Sequence, residues 1–353
     1  MTRCAMDSTA ARDQLKPSAE ALAQFQAALL AIWPEGDLGS EGGEGTAGLR
    51  LGLAVSGGPD STALLLLAAS TLRGRVEAAT VDHGLRPESA DEAMFVAQLC
   101  ADLGVPHATL PVQLEAGNLQ DAARRARYAA LADWAKLRNL DAIATGHHAD
   151  DQAETLIMRL NRASGVAGLA GTRPRGNLPD STLPLLRPLL GLRRNQLAEI
   201  VSQAEVVPVQ DASNSDDRFD RARLRKVLAQ ADWLDVPAVA QSALHLADAD
   251  AALTWSADLE YRARVKREPF GMIYRPYAPR AIALRVLARI IAELDGAEPR
   301  GSAVARLFDA LVAGQPASIG ALVVRPNAGG WSFARAPARK APSRRGPSPA
   351  AGH

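Results

Sequence analysis

The chain has 353 residues, 47% of them hydrophobic and 22% charged, with a net charge of +1. That length allows two or three domains and a sizeable core, and the near-neutral balance excludes a whole-chain basic surface for nucleic acid. No apolar run reaches the about eighteen residues of a membrane helix, no charged-then-apolar leader opens the chain, and Cys4 and Cys100 form no C-x-x-C, so a soluble cytoplasmic protein without a disulfide scaffold, zinc ribbon or iron–sulfur cluster is expected.

In chain order, Leu22, Phe25, Leu29 and Ile32 recur at spacings of three and four, predicting a helix over 18–33 that Pro34 ends. Gly and Glu dominate 36–48, a linker composition. Residues 49–67, LRLGLAVSGGPDSTALLLL, are an apolar run, a glycine break and a second apolar run, and read as strand, turn and helix. Strands follow at 76–81, 108–112 and 141–145, with helices at 90–103, 118–138 and 150–162. This alternation predicts an α/β fold, a doubly wound and mostly parallel Rossmann-like sheet that collects ligands at the carboxyl ends of its strands.

Beyond it, 183–190 is apolar but interrupted by Pro184 and Pro188, 193–203 is helical in pattern and 206–209 suits a last short strand. From Asp211 the composition turns to Asn, Ser and Asp, followed by Arg218, Arg221, Arg223, Arg225 and Lys226. The expected organisation is a helix and linker over 1–48, a nucleotide domain over 49–215, a smaller, mainly helical domain over 216–334 and a basic tail over 335–353. Helical periodicity at 236–259, 281–294 and 302–313 supports the third part. From Pro299 onward eight Lys or Arg face the single Asp309, which suits RNA phosphates, although a solvated tail explains 335–353 equally well.

Chemistry concentrates in three clusters. In Ser56-Gly57-Gly58-Pro59-Asp60-Ser61, two residues without a Cβ let the backbone N–H groups approach an anion at a helix N-terminus. The lysine of a Walker A loop is missing, and Asp60 stands where a phosphate would be repelled unless a divalent cation such as Mg²⁺ lay between them. The bland alternative is a glycine turn with a capping Ser or Asp. Asp82-His83-Gly84-Leu85-Arg86, at a strand end, offers a carboxylate, an imidazole and a guanidinium, and serves equally well as a capped turn. Gly146-His147-His148-Ala149-Asp150-Asp151-Gln152-Ala153-Glu154 opens a helix. Capping accounts for one of its carboxylates, whereas Asp151 and Glu154, three apart, share a face that suits magnesium or a base. Of Arg124, Arg125 and Arg127 on the preceding helix, one guanidinium suits a developing phosphate charge while the others solvate a face.

The SGGPDS loop resembles that of the N-type ATP pyrophosphatases, or PP-loop proteins. Taken with VDHGLRPES, Arg124-Arg125-Ala126-Arg127-Tyr128, ATGHHADDQAETLIMRLNRASGVAGLAG, RPLL at 187–190 and the Asp211-Ala212-Ser213-Asn214 and RARLR segments, it resembles the bacterial tRNA(Ile)-lysidine synthetase family over about residues 49–228. The resemblance implies a ligase that uses ATP to adenylate C2–O of the wobble cytidine in isoleucine tRNA with a CAU anticodon, after which the ε-amine of free L-lysine displaces AMP. It also implies that Ser56, Gly57, Gly58, Pro59, Asp60 and Ser61 hold ATP and magnesium, with Asp82, His83, Arg86 and Gly146 near the nucleotide. Asp60, Arg127, His147 and Asp151 would act at the reaction centre, and Asp60 and Asp151 would take the Mg²⁺. Gln210-Asp211-Ala212-Ser213-Asn214 departs from the family pattern in lacking its proline and first acid.

Two other functions fit part of the sequence. A tRNA thiolase of the same superfamily commonly relies on cysteine pairs, which Cys4 and Cys100 do not resemble. A non-catalytic nucleotide-binding module needs no second His and Asp cluster, yet one is present. Oligomeric state is not legible.

Overall fold

The computed structural model describes residues 15–36, 48–82, 84, 88–112, 119–209 and 220–336. His83, Arg86, the 210–214 departure and all of the tail but Arg335 and Ala336 lie outside these. By contacts the chain divides into two compact units, 1–247 and 248–353.

Unit one opens with α1 (Ala19–Ile32), capped by Ser18, whose Oγ accepts from the Ala21 N–H at 3.3 Å. Phe25 and Leu29 on this helix, with Trp33 just beyond it, are wholly or almost wholly buried, so α1 belongs to the core. The sheet comprises β1 (Leu51–Ala54), β2 (Val76–Asp82), β3 (His107–Pro111), β4 (Ala142–Thr145), β5 (Arg175–Asn177) and β6 (Pro184–Leu186), in spatial order β3-β2-β1-β4-β6-β5. All neighbours pair in parallel except β5 with β6. The helices are α2 (Pro59–Thr71), α3 (Glu88–Leu103), α4 (Leu119–Arg138), α5 (Ala149–Leu160), the single turn α6 (Val166–Leu169), α7 (Arg194–Gln203) and α8 (Asp220–Ala229). The expected doubly wound sheet is therefore present.

β1 is central, and Gly52 within it is required by packing. A Cβ there would lie 2.5 to 2.8 Å from Ile143, Leu140 and Trp134. Residues Ser61 to Ala68 of α2 are all buried, which explains a helix apolar on every side. Leu51, Leu53 and Leu64 to Leu67 share a core with Leu197 and Val201 of α7, while Leu131, Trp134, Ile143 and Leu185 form a second core. Glu77 of β2 is buried and held by Arg138, through Nε at 2.8 Å, and by Arg50. These partners sit near the amino ends of the strands, away from the polar clusters.

The short strand expected at 206–209 does not form. Val209 instead donates its N–H to the Gly57 carbonyl at 3.0 Å, a single bond to a loop and not a ladder.

α9 (Val236–Arg264) contains the division between the units. Unit two adds α10 (Arg280–Asp295) and α11 (Gly301–Val312), at the places periodicity indicated, together with a five-stranded antiparallel sheet that periodicity did not. Its strands are β7 (Val265–Glu268), β8 (Gly271–Tyr274), β9 (Ala317–Ile319), β10 (Leu322–Asn327) and β11 (Gly330–Arg335), in spatial order β7-β8-β11-β10-β9. They are three to six residues long, too short to show a period of two against their surroundings. Trp331 meets Tyr274 and Phe308 edge to face at 5.7 and 5.6 Å, tying sheet to helix. Among the described residues no helix is long and apolar enough to cross a membrane.

Candidate functional site

The sheet order reverses between β1 and β4, because β2 and β3 lie on one side of β1 and β4 and β6 on the other. Such a switch point leaves a crevice at the carboxyl ends of the strands. The first and third polar clusters border it.

From β1 the chain passes through Ser56 to Gly57, whose φ of +83° lies in the left-handed region that favours glycine. A Cβ at Gly57 would also press to 3.2 Å from Val209. Gly58 is the extended N-cap of α2 and Pro59 begins the helix, where a missing N–H costs nothing. The loop is closed by Ser61, whose Oγ accepts from the Ser56 N–H at 3.1 Å, lies 3.2 Å from Ser56 Oγ and donates to the Gly58 carbonyl at 3.0 Å. First-turn amides of a helix have no intrahelical acceptor, so this corner presents donors to an anion.

β4 delivers the second corner. At Gly146 a Cβ would lie 2.9 Å from the Asp60 carbonyl oxygen and 3.1 Å from the Ser61 nitrogen, so the two corners touch through backbone. His148, the N-cap of α5, has no exposed surface. Its Nε2 lies 3.4 Å from Asp60 Oδ2 and 3.5 Å from Asp151 Oδ2, and its Nδ1 lies 3.6 Å from Asp150 Oδ2. Burial alone would push its pKa down, but the carboxylates of Asp150, Asp60 and Asp151 raise it to about 9. His148 is thus an imidazolium joining the two corners.

His147 behaves oppositely. Burial, reinforced by the guanidiniums of Arg187, Arg221 and Arg124 and opposed by Asp151, pushes it down to about 4. It is neutral at pH 7, with Nδ1 2.9 Å from Thr145 Oγ1. Burial would raise the Asp151 carboxyl, but His148, Arg221 and His147 hold it below its ordinary value. Asp151 also accepts from the His148 backbone N–H at 3.2 Å and from Arg221 Nη2 at 2.7 Å.

The other two acids of α5 are paired with arginines of later helices. Asp150 accepts a fork from Arg193 at 3.0 to 3.2 Å and the Arg194 N–H at 2.8 Å, fastening α7 to α5. Glu154, 2% exposed, accepts from Arg221 Nε at 2.7 Å and Arg225 Nε at 2.9 Å, fastening α8. A pocket of about 300 Å³ beside them is lined by Asp150, Glu154, Arg193, Arg194, Arg225 and Leu228, among others.

Asp60 Oδ1 is shielded from solvent and has no hydrogen-bond partner. A carboxylate oxygen so placed fits a cation. Among the described residues no three His, Cys, Asp or Glu are arranged to hold an ion. Mg²⁺ is commonly held by one or two carboxylates together with substrate phosphates.

The structure thus brings together Ser56, Gly57, Gly58, Pro59, Asp60, Ser61, Gly146, His147 and Asp151. Asp82 ends β2, and its Oδ1 accepts from the Gly84 N–H at 2.8 Å, a capped turn. Arg127 is exposed on α4, next to Tyr128. Three residues outside the predicted set lie beside it: His148 against Asp60 and Asp151, Arg221 against Asp151, and Arg187 near His147. Each stood in a noted motif, but their pairing with distant segments left no local mark.

The PP-loop domain family matches residues 40–232. A tRNA(Ile)-lysidine synthase from Novosphingobium aromaticivorans is 46% identical over 299 residues, covering 84% of this chain and 91% of the relative. One from Zymomonas mobilis subsp. mobilis is 43% identical over 297 residues, covering 82% and 90%. Among solved structures, the U34-tRNA thiolase NcsA from Methanococcus maripaludis is similar at 15% identity, with a TM-score of 0.48 over 64% of this chain and 76% of that one.

Proposed function

The chain belongs to the tRNA(Ile)-lysidine synthase family of PP-loop enzymes, and on that premise we propose that it joins free L-lysine to C2 of the wobble cytidine in isoleucine tRNA with a CAU anticodon. ATP is split in the reaction, and the tRNA passes through an adenylated intermediate. The observation that carries this reading is the contact of the two corners, Gly146 against Asp60 and Ser61, with His148 between Asp60 and Asp151.

In the first step the C2 oxygen of cytidine attacks the α-phosphorus of ATP, the bond to the β-phosphate breaks and pyrophosphate leaves. The α2 N-terminus and the loop amides bind the phosphates, and Arg127 is the sequence-based candidate for a guanidinium at the α-phosphate. Asp60 and Asp151 would hold Mg²⁺, which when bound would neutralise charge on the phosphates.

In the second step the lysine ε-nitrogen attacks C2, the C2–O bond breaks and AMP departs with that oxygen. An amine with a reference pKa of about 10.4 arrives protonated and must lose a proton to attack. Asp151, Asp60 and His147 are the candidates to receive it, His147 being neutral and Asp151 ionised. The pocket beside Asp150 and Glu154 carries carboxylates and guanidiniums together, a lining that suits a zwitterionic amino acid.

The part of the chain after residue 215, with the basic tail, is assigned to tRNA docking, and the enzyme to the cytoplasm. Incubating the protein with ATP, labelled lysine and total tRNA, then digesting to nucleosides, tests substrate and product together. Label in a modified cytidine is expected; label confined to free lysine would sink the assignment.

A further inference from the structure

Arg187 follows β6 directly, one residue past the Ala144–Leu186 pairing, and so stands at the carboxyl edge of the sheet next to the end of β4. It is only 9% exposed, and its Nε is shielded from solvent with no hydrogen-bond partner. Nη1 donates to the Arg173 carbonyl at 2.7 Å, and the Tyr128 hydroxyl adjoins the guanidinium. The cation that acts on it is Arg124, whose guanidinium carbon lies 5.0 Å from the centre of the Tyr128 ring.

That environment is unlike those of the other guanidiniums around the site. Arg193 is paired with Asp150, Arg221 with Asp151 and Glu154, and Arg225 with Glu154. Arg187 has no carboxylate partner among the described residues, and burial together with Arg124 pushes its pKa down, against Tyr128. A buried charge without a counterion is costly unless an anion arrives to meet it. Arg187 and Arg124 both act on His147, which places this unpaired charge close to the His147 imidazole.

We propose that Arg187, supported by Arg124 on the Tyr128 ring, binds a substrate phosphate oxyanion beside His147. This rests on the ATP- and tRNA-dependent reading above. Two guanidiniums near a neutral imidazole suit a phosphate, which accepts a planar fork and spreads its charge over several oxygens. Both substrates carry phosphate: ATP in its own chain, and tRNA in the backbone flanking the reacting cytidine.

Full-length Arg187→Gln and Arg187→Lys are compared with the wild type for ATP affinity, for affinity towards isoleucine tRNA transcript across a salt series, for lysine KM and for melting temperature. If the phosphate is that of ATP, Arg187→Gln weakens ATP binding about tenfold or more and leaves tRNA binding unchanged. If it belongs to RNA, tRNA binding weakens and the slope of log affinity against log salt falls in magnitude by about 0.7, the value for one single-strand phosphate contact. Lysine keeps a point charge and a donor for the Arg173 carbonyl, so Arg187→Lys should fall between the wild type and Arg187→Gln in the same measurement. Unchanged affinity for both substrates, or a change confined to lysine KM, overturns the proposal. So does unfolding of both variants, which would make Arg187 a brace for Arg173 and Tyr128. Wild-type lysine incorporation is read separately: its absence, with substrate affinity still dependent on Arg187, would sink the proposed function and leave the phosphate site standing.

Discussion

Gly146 lies against Asp60 so closely that a methyl group at 146 would stand 2.9 Å from the Asp60 carbonyl oxygen. Backbone atoms yield poorly, so Gly146→Ala should displace the start of α2 and the loop before it. A displacement near 1 Å at a reaction centre costs about a hundredfold in rate. Loss of that order in tRNA-dependent AMP release is expected, with the far-UV circular dichroism of the wild type retained. Wild-type turnover would mean that the contact does not position the loop.

Asp60→Ala and Asp151→Ala remove the carboxylates that face His148 Nε2. Each should lower lysine incorporation by about a hundredfold or more, the scale of removing one electrostatic stabiliser. Asp60→Ala should in addition raise the Mg²⁺ concentration needed for half-maximal rate. An unchanged Mg²⁺ titration would remove Asp60 from the metal assignment.

Asp150 holds the start of α7 through the Arg193 fork and the Arg194 N–H. Burial would raise its carboxyl, but His148, Arg193 and the Arg194 N–H outweigh it and hold the group well below the usual range. A depressed carboxyl contributes stability that is present above its unfolded pKa, about 3.9, and lost as pH falls towards the folded value. Asp150→Asn should therefore cost about 1–3 kcal/mol at pH 7. The gap from wild type should narrow below about pH 4. Urea unfolding at pH 7 and at pH 3.5 checks both.

Glu77 is buried near the amino ends of the strands, where Arg138 and Arg50 hold it. Glu77→Gln removes the charge while keeping the shape. Because both arginines are partly exposed and can turn to water, a loss of about 1–3 kcal/mol is expected, with kcat unchanged. A changed kcat with intact stability would show that this end of the sheet communicates with the site.

Legibility in the sequence followed the range of the forces involved. Gly57, Gly58, Pro59 and Asp60 declare a turn and a helix start through their own backbone preferences, and both are present. The 142–145 strand and the helix from Ala149 were readable from apolar runs and capping residues in the same way. The strand expected at 206–209 failed because an extended segment becomes a strand only with a partner strand, and its backbone N–H groups go instead to a helix end, Val206 to the Val201 carbonyl, and to a loop, Val209 to the Gly57 carbonyl.

By itself, the sequence determined which segments turn, coil or extend and which residue types crowd each strand end, because those properties depend on neighbours a few positions away. Only the tertiary structure decided that two adjacent histidines differ, His147 neutral among guanidiniums and His148 charged among carboxylates. It also decided that Arg221 meets Glu154 and that Arg187 meets no acid among the described residues. Charge state is set by what lies within a few ångströms in space, and sheet order brings those groups together from segments far apart in the chain.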